Sequence, residues 1–252
     1  MDPMTPSRPQ FGLTLLRLLT VQGSWNYDRM LGIGFGVSEE PLLRGLAENG
    51  DQGAYRAAVA RGTLFFNSHP YLAGMAVGAA ARLEYDRAAP QQIERLRAAL
   101  CGPLGSLGDR LVWAGMLPFA AAAAMSAIAL GAGWKAIGAF LLFYNAGQLA
   151  LRWWALRAGW RHGAAVGSAL RNPTIQRALA LSSPAMGLAA GFALPVVIRS
   201  FVLPFPGWAR VVFAATAVLA LAGLRLAPNR LSGLRVGLAV VALALLGGWL
   251  WR

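Results

Sequence analysis

Long apolar runs fill the second half of the chain, whereas the first half alternates short apolar and polar stretches. A helix that crosses a membrane needs about 20 predominantly apolar residues. Several runs approach or exceed that length, which predicts about five hydrophobic spans, with the shorter ones also compatible with re-entrant segments. The predicted spans cover residues 111–133, 136–151, 178–198, 211–224 and 236–251.

Helical periodicity begins near the N-terminus, over residues 11–21. Gln10, Thr14 and Arg17 fall on one stripe of such a helix, and leucines surround the rest. One polar stripe on an otherwise apolar helix is typical of a segment that lies in the membrane interface. We therefore predict an N-terminal amphipathic helix.

Two polar stretches rich in alanine and arginine, 38–62 and 82–99, predict cytosolic helices. Between them, residues 63–81 are apolar but interrupted at residues 67–70 by Asn-Ser-His-Pro. Two short apolar arms around a polar break favour a re-entrant hairpin, because irregular backbone at membrane depth needs protein or a water-filled cavity around it. The interruption is therefore the first candidate site.

The composition places this pattern in a membrane. Hydrophobic residues make up 57% of the chain and charged residues 13%, whereas soluble domains carry about 25% charged residues. We predict an all-α integral membrane protein with an N-terminal region, 1–109, that holds the amphipathic helix, the cytosolic helices and the hairpin. A transmembrane region, 110–252, follows, and the two parts form one domain over about residues 10–252.

The net charge of +13 reflects an uneven distribution of acids. All ten acidic residues fall at or before Asp109, and the basic residues after it punctuate the apolar spans. Nucleic-acid binding would require a clustered basic face, so we exclude it. Basic residues accumulate on the cytoplasmic side of membrane proteins. The arginine-rich connectors 152–177 and 225–235 therefore predict a cytoplasmic N-terminus and, with five spans, an external C-terminus.

The polar break has two interpretations. Proline is favoured at the first position of a helix, so a helix is predicted to begin at Pro70, with His69 extended before it. In the first interpretation, Asn67, Ser68 and His69 cap a structural turn. In the second, they line a polar pocket at a broken helix, and Asn67 and His69 offer donors and acceptors suited to sugar hydroxyls.

A glycine-rich segment at residues 101–110 also allows two interpretations. Gly102, Gly105 and Gly108 recur every third residue, and Asp109 precedes the first long span. The segment is either a flexible entry with Asp109 as helix N-cap, or a glycine-lined surface that contacts a ligand or a partner subunit.

Other polar positions favour structural roles. Trp25 and Tyr27 flank Asn26 after the amphipathic helix, which is typical of an interfacial aromatic belt. Asn145 and Gln148 share a helix face inside an apolar span and predict hydrogen bonds between helices.

Catalysis and cofactors find little support in the sequence. No Ser-His-Asp arrangement stands out, and neither His/Cys spacing nor the single Cys101 suits a metal site. A proton relay requires ionisable groups inside the membrane, and the only candidates, Glu84 and Asp109, lie at apparent span edges. We therefore predict a non-enzymatic chain without a cofactor or a metal.

Four passages in order resemble one known family. They are QGSWNYDRM, LFFNSHPYLAG, CGPLGSLGDRLVW and FYNAGQLALRWWALRAGWRHG, which together span much of residues 22–163. Their sequence and spacing are similar to those of the IID component of the mannose/fructose/sorbose phosphotransferase system (PTS).

The resemblance implies a bacterial inner-membrane protein that pairs with an obligate IIC subunit to form the channel of a sugar permease. IIA and IIB phosphocarriers phosphorylate the incoming mannose-type hexose, and the IID subunit is not phosphorylated. The family's sugar site lies mainly in IIC. The resemblance therefore implies contact with sugar or IIC for residues of the polar break and the glycine-rich segment: Asn67, Ser68, His69, Pro70, Gly102, Gly105, Gly108 and Asp109.

Structural or interface roles follow for Trp25, Asn26, Tyr27, Glu84, Asn145 and Arg152. Membrane lipid and a higher-order oligomer of the IIC–IID pair complete the expected partners. One alternative stays open, a non-transporting membrane anchor or sensor that recruits PTS components.

Overall fold

The computed structural model describes residues 9–226, and this part of the chain is all-α, as predicted. Two isolated β-bridges are its only extended pairings. The nine α-helices are α1 Phe11–Leu18, α2 Gly32–Glu48, α3 Gln52–Gly62, α4 Ala73–Tyr85, α5 Pro90–Gly108, α6 Leu117–Ala129, α7 Trp134–His162, α8 Pro173–Val197 and α9 Gly207–Leu226.

The chain divides into two compact units, one ending at Ala193 and the other beginning at Leu194. The described part of the second unit contains the end of α8, a π-helical segment at Ile198–Val202, and α9. The predicted division between residues 109 and 110 stays a prediction.

Helix α4 is the centre of the first unit. Its residues from Ala73 to Ala81 are all buried, and it packs most extensively against α7. The two backbones touch, because a Cβ on Gly159 would overlap the carbonyl oxygen of Met75 and a Cβ on Gly78 would overlap that of Leu156. Small residues therefore make α4 a packing core for its neighbours.

The burial of α4 explains the apolar run at 63–81 in a way the sequence did not anticipate. The run is apolar because most of it lies inside the protein, and residues 64–66 form no helix. The helix begins at Ala73, after a turn over residues 70–72, so the predicted start at Pro70 is wrong by about one turn. Insertion of this segment into a membrane as a hairpin stays a prediction.

The predicted N-terminal helix is present as α1, but only part of its polar stripe faces inward. Thr14 is fully buried, whereas Leu16 is 62% exposed. Arg17 reaches Glu40 of α2 with an Nη1–Oε2 distance of 2.7 Å. Part of the apolar surface of α1 is therefore exposed, although Leu18 is fully buried, and the position of α1 in a membrane interface stays a prediction.

Glu40 joins the first three helices. Its carboxylate accepts hydrogen bonds from Arg17 of α1, from Arg44 one turn further along α2, and from the hydroxyl of Tyr55 in α3. These donors, Arg44 above all, lower the pKa of Glu40 to about 2. The carboxylate is therefore charged across the neutral pH range.

The glycine-rich segment does not interrupt the helix in which it lies. Helix α5 continues through a π-helical stretch, Asp109–Met116, into α6, so that Pro90–Ala129 is one helix of 40 residues. Asp109 has helical backbone angles inside it. The predictions of a flexible entry and of an N-cap at Asp109 are therefore wrong.

Two helical stretches among residues 9–226 are long and apolar enough to cross a membrane: Pro90–Ala129 and Pro173–Val202, each with a mean hydropathy of 1.8. The predicted spans 111–133, 136–151, 178–198 and 211–224 coincide largely with α6, α7, α8 and α9. The span 236–251 lies outside the described residues.

The basic connector predicted at 152–177 is largely helical. Helix α7 continues to His162, and a 3-10 segment, Gly163–Arg171, links it to α8. Arg152 is therefore a buried residue of α7 and not part of a solvated loop.

Candidate functional site

The polar break lies in a turn that we define as residues 64–72. Its first residues run beside the segment after α1: Met30 pairs with Phe66, and Leu31 N–H donates to Phe66 O at 2.8 Å. The side chain of Phe66 is buried against Phe35 of α2, with ring centroids 4.7 Å apart. The first two resembling passages are thus joined through their backbones.

Arg97 of α5 holds the start of the 64–72 turn. Its guanidinium donates to the carbonyls of Arg61 and Gly62, at the C-terminus of α3, and to Leu64 O, at 3.0 Å for Gly62 and 3.1 Å for Leu64. The guanidinium also lies 4.4 Å from the ring centroid of Phe35. Positive side chains at helix C-termini satisfy carbonyls that have no helical partner. Arg97 therefore fixes where α3 ends and the turn begins.

Glu39 is buried near this arginine. It is 2% exposed, and no basic nitrogen in residues 9–226 lies within 4.0 Å of its carboxyl group. Burial raises the pKa of Glu39 to about 8, against the opposing charge of Arg97. The side chain is therefore protonated at neutral pH.

His69 occupies the centre of the turn. Its ring is 2% exposed and packs edge-on against Tyr71 and against Trp113 of the π-helical stretch. Nδ1 accepts the Tyr71 N–H at 3.2 Å, and His69 O accepts from Leu72 and Ala73. His69 therefore stabilises the turn that precedes α4, whereas the N-cap of α4 is Leu72 and no side chain caps the helix.

The other ring nitrogen of His69 is free. Nε2 is buried and has no hydrogen-bond partner in the described structure. Since Nδ1 accepts, the neutral ring carries its proton on Nε2 and offers an unused donor. Burial lowers the pKa of His69 to about 4, and Arg152 acts in the same direction. An unpaired buried donor is costly, so it marks a group that a ligand or partner would satisfy.

Gly108 makes room for this histidine. A Cβ at position 108 would overlap Cβ and Cγ of His69. Gly102 and Gly105 differ, because a Cβ on either would meet nothing within 4 Å. One of the three predicted site glycines therefore shapes the turn, and the other two lie on an open surface of α5.

The remaining residues of the break differ in exposure. Asn67 is exposed, Ser68 is half-buried and Pro70 is buried. The Ser68 hydroxyl donates weakly to His69 O at 3.4 Å. The Asn67 amide is thus accessible to a partner, whereas Ser68 and Pro70 belong to the turn itself.

A series of side-chain contacts runs from Tyr71 along α7. The hydroxyls of Tyr71 and Tyr144 are 2.8 Å apart, and the guanidinium of Arg152 lies 3.9 Å from the Tyr71 ring centroid. Arg152 donates to Gln148 Oε1 at 2.5 Å, and Gln148 donates to Asn145 Oδ1 at 2.6 Å. Asn145 and Gln148 therefore bond within α7, whereas we had predicted bonds between helices.

Two further sets of predicted residues have structural surroundings. Trp25 and Tyr27 are exposed and pack edge-to-face at 4.9 Å, and Asn26 Oδ1 accepts the N–H groups of the turn that follows it. Glu84 accepts two hydrogen bonds from Arg61, each of 2.9 Å. Glu84 is thus a paired structural acid.

The four resembling passages meet at the 64–72 turn. Phe66 contacts the first, His69 contacts Gly108 and Trp113 of the third, and Tyr71 contacts the fourth. The result offers an exposed amide and a buried imidazole donor, a set suited to hydroxyl or carbonyl groups. Within residues 9–226, no group of three or more His, Cys, Asp or Glu side chains could hold a metal ion.

Sequence reasoning missed several contributors to this site. Tyr71, Trp113 and Tyr144 surround His69 and Arg152, and Arg97 holds the turn from outside. Tyr71 follows directly after Pro70, so its place in the predicted proline turn could have identified it as a site residue. Nothing in the local pattern distinguishes Arg97 from the neighbouring arginines.

Comparison with known proteins identifies the family. The model of the PTS system mannose/fructose/sorbose family IID component matches residues 8–201. The chain belongs to this family. The resemblance predicted from the four passages is thereby confirmed, and the matched residues of the IID family contain the whole 64–72 turn.

Curated relatives agree with the family. The sorbose-specific EIID component of Lacticaseibacillus casei is 30% identical over 62% of this chain and 56% of that protein. The mannose-specific EIID component of Escherichia coli strain K12 is 32% identical over 59% of this chain and 53% of that protein. The chain thus spans about half the length of the curated relatives it matches.

Two solved structures share the fold. The cryo-EM structure of the mannose transporter ManYZ in complex with microcin E492 matches with a TM-score of 0.57 and 25% identity, over 79% of this chain and 72% of that one. A structure described as a membrane protein matches with a TM-score of 0.72 and 21% identity, over 97% of both chains, and supports the fold alone.

Proposed function

We propose that this IID-family chain forms, with a IIC subunit, the membrane channel of a PTS permease that takes up a mannose-type hexose. IIA and IIB phosphocarriers phosphorylate the sugar, and the chain itself performs no phosphoryl transfer. The permease resides in a bacterial inner membrane as a higher-order assembly of IIC–IID pairs. The observation that carries this proposal is the similarity to the mannose transporter ManYZ over 79% of the chain.

The 64–72 turn supplies the contact with sugar or with IIC in this proposal. Asn67 is exposed at the turn, and the buried His69 carries an unused donor on Nε2. Gly102, Gly105 and Asp109 extend the same contact along α5 and the π-helical stretch that follows it, where their open surroundings leave room for a neighbouring helix.

We expect Asn67→Ala or His69→Ala to lower uptake and phosphorylation of a labelled hexose about tenfold or more, because each removes a hydrogen-bonding group from the contact. Co-purification with the IIC partner should continue. Uptake by whole cells and affinity purification of the complex measure the two quantities.

Gln91→Ala provides the matched control, because it truncates an exposed amide on the first turn of α5, outside the 64–72 turn. Unchanged uptake in both variants, together with altered recruitment of IIA and IIB, would favour the anchor or sensor alternative.

The N-terminal region is cytoplasmic and the C-terminus external in this proposal. Its support is the arginine content of the end of α7 and the segment up to residue 177, and of residues 225–235, since basic residues at the ends of spans stay inside. A reporter fused after Arg252, outside the described residues, should therefore read as external. A cytoplasmic reading with a functional fusion would overturn the five-span arrangement.

A further inference from the structure

A second feature of the first unit has no part in the proposed transport contact. An apolar groove of about 610 Å³ lies between residues 111–119, residues 143–154 of α7 and residues 172–185. Its volume falls within the range of about 300–1,000 Å³ that ligand sites occupy. Phe119, Phe143 and Leu181 are among its apolar lining residues.

The groove is long and runs along helix axes. From residue 172 to residue 185 the chain advances about 20 Å, at about 1.5 Å per helical residue. The hydrocarbon core of a bilayer is about 30 Å thick, so one leaflet contributes about half of that. An apolar groove of this length along a candidate span suits a lipid acyl chain better than a compact solute.

The polar lining residues concentrate at one end. Asn172 and Thr174 lie there, at the N-terminus of α8. The third, Ser182, uses its hydroxyl to bond Leu179 O at 2.8 Å. The groove therefore has a polar mouth and an apolar interior, the division that a phospholipid itself has.

Three arginines lie next to lining residues of the groove in sequence. Arg171 directly precedes Asn172, Arg177 lies one turn into α8, and Arg110 directly precedes Leu111, which lines the groove. All three arginines are exposed, and no acid among residues 9–226 forms an ion pair with them. The positive end of the α8 dipole adds to this field.

We propose that the groove binds an anionic membrane phospholipid, with an acyl chain between α6, α7 and α8 and the phosphate against Arg171 and Arg177. Basic pockets between membrane helices bind anionic headgroups in this way. The charge at the mouth selects the anionic lipid, and the apolar groove retains it.

The test uses the full-length protein, purified in detergent and stripped of lipid. Native mass spectrometry with added phosphatidylglycerol or phosphatidylcholine of identical acyl chains measures retention of each lipid. Phosphatidylglycerol should be retained preferentially. Equal retention of the two lipids would overturn the assigned headgroup contact.

Two variants separate the headgroup from the acyl chain. Arg171→Gln with Arg177→Gln should weaken phosphatidylglycerol binding roughly 30-fold and leave phosphatidylcholine unchanged. The matched double variant Arg56→Gln with Arg95→Gln removes equal charge from exposed positions on α3 and α5 and should change neither. An equal loss of phosphatidylglycerol binding in both double variants would contradict a headgroup contact at Arg171 and Arg177.

Ala178→Phe fills the groove, because Ala178 lines it. It should reduce retention of both lipids, whereas Ala180→Phe, on the exposed surface of the same helix outside the lining set, should not. A photoreactive residue at position 178 in native membranes should yield adducts of phospholipid mass. Adducts with a IIC subunit or a second copy of this chain would identify a protein occupant and overturn the proposal.

Discussion

Replacing Arg97 by methionine should destabilise the fold more than any other single arginine substitution in α5. The long side chain is retained, but the carbonyls of Arg61, Gly62 and Leu64 lose their donor. A buried group left without its hydrogen bond costs about 1–3 kcal/mol. We therefore expect a loss of about 3 kcal/mol or more, against a typical total of about 5–15 kcal/mol.

The expected loss is specific to the position. Arg95→Met makes the same change on the exposed side of α5 and should alter stability by less than about 0.5 kcal/mol. Arg97→Lys should fall between the two, because one ammonium group cannot reproduce the planar fork that reaches several carbonyls. Denaturant unfolding of the purified protein, followed by tryptophan fluorescence, gives the comparison. Equal midpoints for Arg97→Met and Arg95→Met would contradict the assigned role.

Local sequence patterns predicted much of the 64–72 turn. Asn-Ser-His-Pro indicates a break, and His69 was expected near the cap of the helix that follows. Both expectations depend on proline geometry and on capping, which act over a few residues. The structure adds the contacts of His69 with Gly108 and Trp113, which join positions about forty residues apart. No short-range rule contains that information.

Two predictions depended on surroundings that the local sequence does not contain. An apolar stretch looks alike whether lipid or protein covers it, so the sequence alone does not decide whether residues 63–81 enter a membrane as a hairpin, and the hairpin stays a prediction. Glycines 102, 105 and 108 suggested a flexible entry, because glycine weakens an isolated helix. Packing overrides that preference here, and α5 continues through all three positions.

Adjacent acids show most clearly what the sequence leaves open. Glu39 and Glu40 are neighbours on α2 and point about 100° apart around its axis. Glu40 reaches Arg17, Arg44 and Tyr55, whereas Glu39 is buried without an ion-pair partner within residues 9–226. The residue type is identical, so only the tertiary neighbours decide which of the two carboxyl groups is charged.

Glu39 should make the fold less stable as pH rises. Burial raises its pKa from 4.5 to about 8 in the folded protein, so between these values the folded state holds a proton that the unfolded state releases. In that window each unit of pH lowers the factor by which this group raises the folding equilibrium constant about tenfold. The contribution is complete below the unfolded value and is lost as pH rises through the folded one.

Glu39→Gln tests this directly, because glutamine matches the protonated carboxyl in shape and cannot ionise. The variant should unfold at higher denaturant concentration than the parent above the folded pKa, and its midpoint should vary less with pH between 4.5 and about 8. Glu48→Gln, at an exposed position on the same helix, should follow the parent. If Glu39→Gln and the parent show the same pH dependence, Glu39 is ionised in the folded state and Arg97 must compensate its charge.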